Sequence, residues 1–253
     1  MSEYKSNLTK NDKFVNYIFG NNHKGYYIEA GACNGIIDSN TYYFDKKQKW
    51  NGILVEPSNL YNELCVNRPT AKCFNCCIGD ANKETEFTEF INGGYNQLSC
   101  TSDCLEKLKD VYLYNKAINE SNTIKKQIQI RTLDSILDEV NAPNVIEYLS
   151  LDVEGSEVAV IDGIDFTKRK ILVISAEGMW SNSKLETLGY KNVINPYDKS
   201  NDENLVTWLS KDQVHPWDCW WIAPELIDQK KDLFTPLLYK TYDWDKKEYI
   251  KIG

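Results

Sequence analysis

The chain has 253 residues and a formal net charge of −8 at pH 7; this acidic balance disfavours a nucleic-acid partner, because phosphate neutralisation needs clustered Lys and Arg. With 42% hydrophobic residues, the chain can bury the core of one α/β domain, and we expect a single domain over residues 1–253. The N-terminal stretch lacks the apolar region of a secretory signal, and no apolar run approaches the span of a bilayer, so we expect a cytoplasmic protein without a membrane span.

Hydrophobic spacing, glycines and side-chain caps predict alternating helices and strands in the first 80 residues. Gly20 ends the first helix, and Ser39 or Asn40 can cap the second, as Ser58 can cap the third. The predicted segments are helix 11–20, strand 25–31, helix 39–48, strand 52–57, helix 59–67 and strand 71–80.

The second half begins with a polar stretch over about residues 92–126, predicted as a loop-rich excursion with a short helix near CLEKLKDVYLY. The segments predicted after it are helix 133–140, strand 146–155, helix 156–164, strand 169–179, helix 184–194 and edge strands that include 218–224. Strands that alternate with helices predict a doubly wound, mostly parallel sheet, here with an antiparallel C-terminal edge.

Carboxylates close five predicted strands: Glu29, Glu56, Asp80, Asp152 and Glu177. In an open parallel sheet, ligands bind outside the carboxyl ends of the strands, near the switch in strand order. We therefore expect these acids to face a common ligand.

The turn after the first strand has the spacing Glu29-x-Gly31-x-x-x-Gly35. It differs from the G-x-G-x-x-G turn that binds the pyrophosphate of NAD, and a fixed carboxylate there would repel a pyrophosphate. An acid suits the ammonium and sulfonium of S-adenosylmethionine instead. Glu56, about twenty residues further on, is placed to bind the ribose hydroxyls.

Four segments in this order, YIEAGACNGIIDSNTYYF, WNGILVEPSNLYNEL, IQIRTLDSIL and IEYLSLDVEGSEVAVIDGIDF, resemble the FkbM family of S-adenosylmethionine-dependent methyltransferases. The resemblance covers roughly Tyr26 to Gly178, and LDVEGSE is its most distinctive part. It implies a Rossmann-like class I methyltransferase fold and O-methylation, commonly of hydroxyls on sugars or on sugar-bearing and polyketide products. The acceptor expected here is a carbohydrate or glycoconjugate, and a homo-oligomer is left open.

The same resemblance implies which residues contact the cofactor. Position by position, these are Glu29, Gly31, Ala32, Asn34, Gly35, Ser39, Asn40, Glu56, Ser58, Asp80 and Asp152. Asp80 is equally well explained as a turn residue.

Asp152 and Glu154 are the main catalytic candidates, because transfer to an alcohol needs a group that accepts its proton. Glu154 is almost as well explained as a brace of the turn before Gly155, and Glu157 as a capping acid. His215 is a third catalytic candidate, as a general base, although a packed loop histidine explains it too. Asp152 and Glu177 could also bind Mg²⁺, whose requirement the sequence leaves open.

Cysteines and C-terminal aromatic residues allow two interpretations each. The cysteines Cys73, Cys76, Cys77, Cys100 and Cys104 could hold zinc, but a buried strand with free thiols is favoured. The aromatic-rich region of about residues 190–253 could form a wall for a glycan acceptor, although core packing is the default.

Two other functions remain as alternatives to methylation of a sugar hydroxyl. One is methylation of RNA or of another small-molecule hydroxyl, which the acidic balance disfavours. The other is a non-catalytic cofactor-binding module, which the intact cofactor turn and the LDVEGSE segment disfavour.

Overall fold

The computed structural model describes residues 3–91, 94–202, 216–243, 246 and 248–251. The strands of this part are β1 (Tyr26–Ala30), β2 (Asn51–Val55), β3 (Lys72–Phe74), β4 (Cys77–Ile78), β5 (Lys83–Phe90), β6 (Cys100–Thr101), β7 (Thr123–Arg131), β8 (Val145–Leu151), β9 (Lys170–Glu177), β10 (Lys191–Asn192), β11 (Asp218–Ile222), β12 (Tyr239–Asp243) and β13 (Glu248–Lys251). Its α-helices are α1 (Asn11–Phe19), α2 (Tyr61–Asn67), α3 (Ser102–Leu108), α4 (Tyr112–Glu120), α5 (Leu133–Glu139), α6 (Glu157–Asp162), α7 (Ser183–Thr187), α8 (Pro224–Gln229) and α9 (Lys231–Phe234).

The main sheet of the described chain has seven strands in the order β10-β11-β9-β8-β1-β2-β3. Its five strands β1, β2, β3, β8 and β9 run parallel, while β11 is antiparallel to β9 and β10 is antiparallel to β11. The predicted parallel-rich α/β sheet with an antiparallel C-terminal edge is therefore confirmed. The order reverses between β1 and β8, which opens a crevice at the carboxyl ends of those two strands.

Both faces of this sheet are buried, as nearly continuous apolar strands require. Successive side chains point to opposite faces, so Ile28 packs in one core cluster while Tyr27 packs in the other. Trp221 and Trp220 divide in the same way, and each is only 1% exposed. Core packing, the default expectation for these two tryptophans, is therefore confirmed.

The predicted third strand, 71–80, is wrong as a single element. Residues Lys72–Phe74 join the main sheet as β3, whereas Cys77–Ile78 form β4 and pair with β7 in a second sheet. The chain changes sheets at Asn75, whose side-chain amide donates to the Glu56 carbonyl over 2.8 Å. The predicted strand is one segment in sequence, but its two halves pair in different sheets.

The second sheet has the order β4-β7-β5-β6. Its longest pair, β5 with β7, is antiparallel from Lys83 opposite Ile130 to Phe90 opposite Thr123. The predicted loop-rich excursion of 92–126 is thus more ordered than expected in its described part, because β6, α3, α4 and the start of β7 lie within it. The single short helix predicted near 104–114 is two helices, with an extended Val111 between them.

Two further helices differ from their predictions. The Ser39 hydroxyl accepts the Tyr42 N–H over 3.1 Å, as the predicted cap requires, but the segment widens into a π-helix at Phe44–Gln48. The predicted helix 184–194 is short, α7, and is followed by the edge strand β10. Within the described residues, no helix has both the length and the apolar character needed to cross a membrane.

Candidate active site

A cavity of about 710 Å³ opens at the carboxyl ends of β1, β2, β8 and β9. The second sheet and the segment that carries α3 and α4 also contribute residues to the cavity lining. Its volume falls within the range of about 300–1,000 Å³ that is typical of small-molecule sites. This is the place where the alternation of strands and helices predicted a ligand.

The two glycines of the turn after β1 have different tasks. Gly31 has φ +81°, and a Cβ added there would lie 1.8 Å from the Asp152 carbonyl oxygen. Gly31 therefore lets the turn pass directly over the end of β8, and it lines the cavity. Gly35, at φ +77°, instead packs on α2, where an added Cβ would lie 2.5 Å from Leu64 Cδ1.

Glu29 is buried at the end of β1 and lines the cavity. Its carboxylate accepts the Ser39 hydroxyl over 2.8 Å, the Asn40 N–H over 2.6 Å and the Thr41 hydroxyl over 2.6 Å. Burial raises the pKa of Glu29, while Arg68 and these donors oppose the rise. Glu29 thus fixes residues 39–41 beside the cavity in addition to presenting charge to it.

Arg68, which no sequence motif indicated, supports this arrangement. It is fully buried at the end of α2, and its Nε donates to Asp45 over 2.5 Å. Its Nη1 donates to the Gly35 carbonyl over 3.1 Å, and its Nη2 donates to the Tyr27 hydroxyl over 3.0 Å. One guanidinium therefore joins α2, β1 and the cofactor turn.

Glu56 follows β2 and is also buried beside the cavity. One carboxylate oxygen accepts the Cys33 N–H over 2.7 Å and the other accepts the Ser58 N–H over 2.8 Å. Burial raises the pKa of Glu56. Because each carboxylate oxygen has a second lone pair, the group can still accept a ligand hydroxyl.

Most of the predicted cofactor residues lie at the cavity. Those that line it are Glu29, Gly31, Ala32, Ser39, Asn40, Glu56, Ser58 and Asp152. Asn40 also connects to the sheet, because its amide donates to the Ser150 hydroxyl over 2.9 Å.

Asn34, Gly35 and Asp80 are not part of the cavity lining. The Asn34 side chain accepts the Ile36 and Ile37 N–H groups and shapes the turn. Asp80 lies at the surface, where Lys83 pairs with it at 3.3 Å.

A cluster of three carboxylates lies at the ends of β8 and β9. Ligand oxygens of Asp152, Glu154 and Glu177 all lie within 4.8 Å of one another. Although Asp152 faces the open cavity, the surrounding protein raises its pKa to about 6, and the nearby Glu29 and Glu56 charges add to the rise. The surrounding protein also raises the pKa values of Glu154 and Glu177 well above the usual range by partial desolvation, and the neighbouring acids add to the rise, although Glu177 is open to the cavity.

The turn between β8 and α6 presents Glu154 in a left-handed conformation with φ +55°. Glu157 braces it, since its carboxylate accepts the Val153 N–H over 2.9 Å and the Gly155 N–H over 3.1 Å. Tyr114 of α4 donates its hydroxyl to Glu154. The side chain of Glu157, and not that of Glu154, therefore holds the backbone of the turn, and Tyr114 is a cavity residue that sequence reasoning missed.

The remaining candidates are distributed unevenly. His215 lies outside the described residues. Of the C-terminal aromatics, Trp217 lines the cavity, whereas Tyr190 packs in the core. All eight cysteines are free thiols, and the group of possible metal ligands in the described chain is the Asp152, Glu154 and Glu177 cluster.

Comparison with protein families gives a match to the model of the methyltransferase FkbM domain over residues 29–207, well over half of the chain. Comparisons with curated proteins and with solved structures find no match. Methyltransferases of this kind generally use S-adenosylmethionine, which agrees with the cofactor that the turn after β1 predicted. The matched range contains the ends of β1, β2, β8 and β9 that form the cavity. The chain belongs to the FkbM methyltransferase family.

Proposed function

We propose that the chain is an S-adenosylmethionine-dependent O-methyltransferase that acts on a hydroxyl of a sugar or glycoconjugate. Its main sheet would then be the doubly wound, Rossmann-like sheet of class I methyltransferases. The observation that carries the proposal is the charge of the cavity. No Lys or Arg is among its described lining residues. Seven carboxylates line it: Glu29, Asp38, Glu56, Asp152, Glu154, Glu157 and Glu177.

The described residues fit this cofactor. A cavity whose described lining has seven carboxylates and no Lys or Arg attracts a ligand that carries an ammonium and a sulfonium, and the attraction is strong where water is partly excluded. Gly31 brings backbone to the cavity wall, as a nucleoside-bearing ligand requires. Glu56 is placed to accept ribose hydroxyls, with Ser58 beside it.

When bound, the cofactor supplies a methyl group that is already activated by its sulfonium. The protein has to align the acceptor oxygen, exclude water and accept the hydroxyl proton while the oxygen–methyl bond forms. Asp152 and Glu154 are the groups that we propose for the proton, because they lie at the ends of the central strands and face the cavity. The pKa of Asp152, raised to about 6, suits proton acceptance near neutral pH.

The same cluster has the oxygen ligands that Mg²⁺ prefers, from Asp152, Glu154 and Glu177. A cationic cofactor accounts for these acids as well. We therefore expect methyl transfer to persist in excess EDTA. Loss of transfer in EDTA, with recovery on addition of Mg²⁺, would assign the cluster to the metal instead.

Two measurements test the proposal. Calorimetry should show binding of S-adenosylmethionine, and labelled methyl groups should pass to sugar acceptors and not to RNA oligonucleotides.

Asp152→Asn and Glu154→Gln should each lower the transfer rate by about 10²–10⁴-fold, the usual contribution of a general base, if that residue accepts the proton. Transfer to RNA would support the nucleic-acid alternative, and a protein that binds no cofactor would be an interaction module.

A further inference from the structure

Two residues that line the cavity come from outside the family match of 29–207: Asn7 before it and Trp217 after it. We propose that they form the acceptor subsite. Trp217 would provide the aromatic face for a pyranose ring, and Asn7 would bind a ring hydroxyl. This inference rests on the proposed function and adds the residues that select the acceptor.

The backbone of Trp217 is fixed beside the acid cluster. Its carbonyl accepts the Gly178 N–H over 3.0 Å, and its own N–H donates to the Ser200 hydroxyl over 3.0 Å. The next residue, Asp218, pairs in register with Glu177 across β11 and β9. The half-buried Trp217 side chain therefore lines the cavity next to the strand end that carries Glu177.

Asn7 reaches the cavity from the N-terminal segment, which contacts both the 38–40 turn and the start of β11. The backbone of Ser6 forms an isolated parallel β-bridge with Asp38, and its hydroxyl donates to the Asn40 side-chain oxygen over 2.8 Å. The Asn11 side-chain amide donates to the Asp218 carboxylate. The side-chain oxygen Oδ1 of Asn7 accepts the N–H and the hydroxyl of Thr9 over 2.9 Å and 2.8 Å. The amide NH₂ of Asn7 is thus the part that can donate to an acceptor hydroxyl.

These groups match the chemistry of a sugar ring. The ring offers an apolar C–H face to an aromatic side chain and offers its hydroxyls to carboxylates and amides at the edge. Trp220 and Trp221 cannot serve, because both are buried in the core. A nucleobase would also stack on Trp217, but the described cavity lining offers no Lys or Arg to neutralise the phosphates of a polynucleotide.

The test compares Trp217→Leu, which removes the aromatic face, with Trp217→Phe, which keeps one. Trp180→Leu is the matched control, because Trp180 is half-buried and does not line the cavity. The acceptor probes are methyl α-D-mannopyranoside, methyl β-D-glucopyranoside and methyl α-L-rhamnopyranoside, with uridine and an RNA oligonucleotide as competitors. Binding of S-adenosylmethionine, measured first by calorimetry, shows that each variant is folded.

We expect Trp217→Leu to raise the KM for the glycoside that the wild type methylates best by about tenfold. Trp217→Phe and Trp180→Leu should change it by less than about threefold. Asn7→Ala should also raise it, which keeps the subsite testable if Trp217→Leu does not fold. The Kd for S-adenosylmethionine should stay within about twofold of the wild type in all four variants.

The proposal is overturned if Trp217→Leu and Asn7→Ala both methylate the glycoside with an unchanged KM. It is also overturned if the wild type binds the cofactor but methylates uridine or RNA and none of the glycosides. If the wild type binds no S-adenosylmethionine, the proposed function fails, and the acceptor subsite fails with it.

Discussion

Gly31 is the residue at which the turn after β1 comes closest to β8. An alanine there would require φ +81° and would place its Cβ 1.8 Å from the Asp152 carbonyl oxygen, so backbone has to move. The left-handed conformation alone costs about 1–2 kcal/mol. We expect Gly31→Ala to lower the free energy of unfolding by clearly more than that and to abolish cofactor binding.

Gly94→Ala is the control for this prediction. Gly94 has φ +79°, but no atom of the described residues lies within 4 Å of an added Cβ. Gly94→Ala should therefore lower the free energy of unfolding only by the cost of the left-handed conformation, about 1–2 kcal/mol. Urea unfolding of both variants separates strain from steric overlap, and equal losses would show that the contact with Asp152 is not tight.

Among single residues, the acids at strand ends could be predicted because the signal is local: an apolar run, then a carboxylate, then a turn residue such as Gly or Pro. Tyr114 could not be predicted in this way. It contacts Glu154 from 40 positions away in the sequence, and its own neighbourhood is a polar stretch without a motif. Asp80 shows the opposite case, since a local pattern at a strand end indicated a site residue that lies at the surface.

At the scale of elements, α2 is connected to β1 through the buried Arg68. Lysine has the charge but not the fork of donors that reaches Asp45, Gly35 and Tyr27 together. We expect Arg68→Lys to lower the free energy of unfolding by at least about 1–3 kcal/mol, the cost of leaving a buried acceptor without its donor. Thermal or urea unfolding measures the loss.

Arg131→Lys is the matched control. Arg131 is partly exposed and pairs with the exposed Glu139 at 2.8 Å. A surface ion pair contributes about 0–1 kcal/mol, so the control should lose no more than that. Similar losses in the two variants would contradict the central role of Arg68.

The turn between β8 and α6 makes stability depend on pH. Burial raises the pKa of Glu157 from 4.5 to about 7, so the folded protein binds a proton there that the unfolded chain releases at lower pH. The stabilisation is therefore present below about pH 4.5 and is lost as pH rises towards 7. We expect the cofactor-free protein to become less stable over this range.

Glu157→Gln keeps an acceptor for the Val153 N–H but removes the proton equilibrium. Urea unfolding at pH 5 and pH 7 should show a difference that is smaller than in the wild type by roughly 1–3 kcal/mol. Glu186→Gln, at an exposed position of α7, should leave the difference unchanged. A wild type that gains stability between pH 5 and pH 7 would contradict the raised pKa.

Elements with local signals could be predicted better than pairings between distant segments. The strands β1, β2, β8 and β9 are short apolar runs that end in turn residues, so their existence and parallel direction follow from the alternation with helices. The pair of β5 with β7 joins segments that are about 40 residues apart, and β7 is largely exposed. Sequence periodicity offers little evidence for such a pairing.

At the scale of the whole molecule, the family match explains the cofactor side of the cavity better than the acceptor side. The match begins at Glu29 and extends past the end of β9. Asn7 and Trp217, which we assign to the acceptor, come from the flanking segments. Such a division would let family members share one cofactor site while the flanking segments select different acceptors.

The charge of the cavity gives the last prediction. At pH 5.5 Asp152, with a pKa of about 6, and Glu157, with a pKa of about 7, are largely protonated, and at pH 7.0 more of this charge is present. Binding of a cation therefore strengthens as pH rises, while the cofactor-free protein loses stability. We expect S-adenosylmethionine to raise the Tm by more at pH 7.0 than at pH 5.5.

S-adenosylhomocysteine is the matched ligand for this measurement, because it lacks the methyl group and the sulfonium charge but keeps the rest. Its effect on the Tm should depend less on pH, and the difference between the two ligands isolates the attraction between the sulfonium and the cavity acids. The α-ammonium is present in both ligands and is mostly charged over this range, so its contribution largely cancels in the comparison. If the two ligands show the same pH dependence in thermal unfolding, the carboxylates at the ends of β8 and β9 do not face the sulfonium, and their role has to lie with the acceptor or a metal.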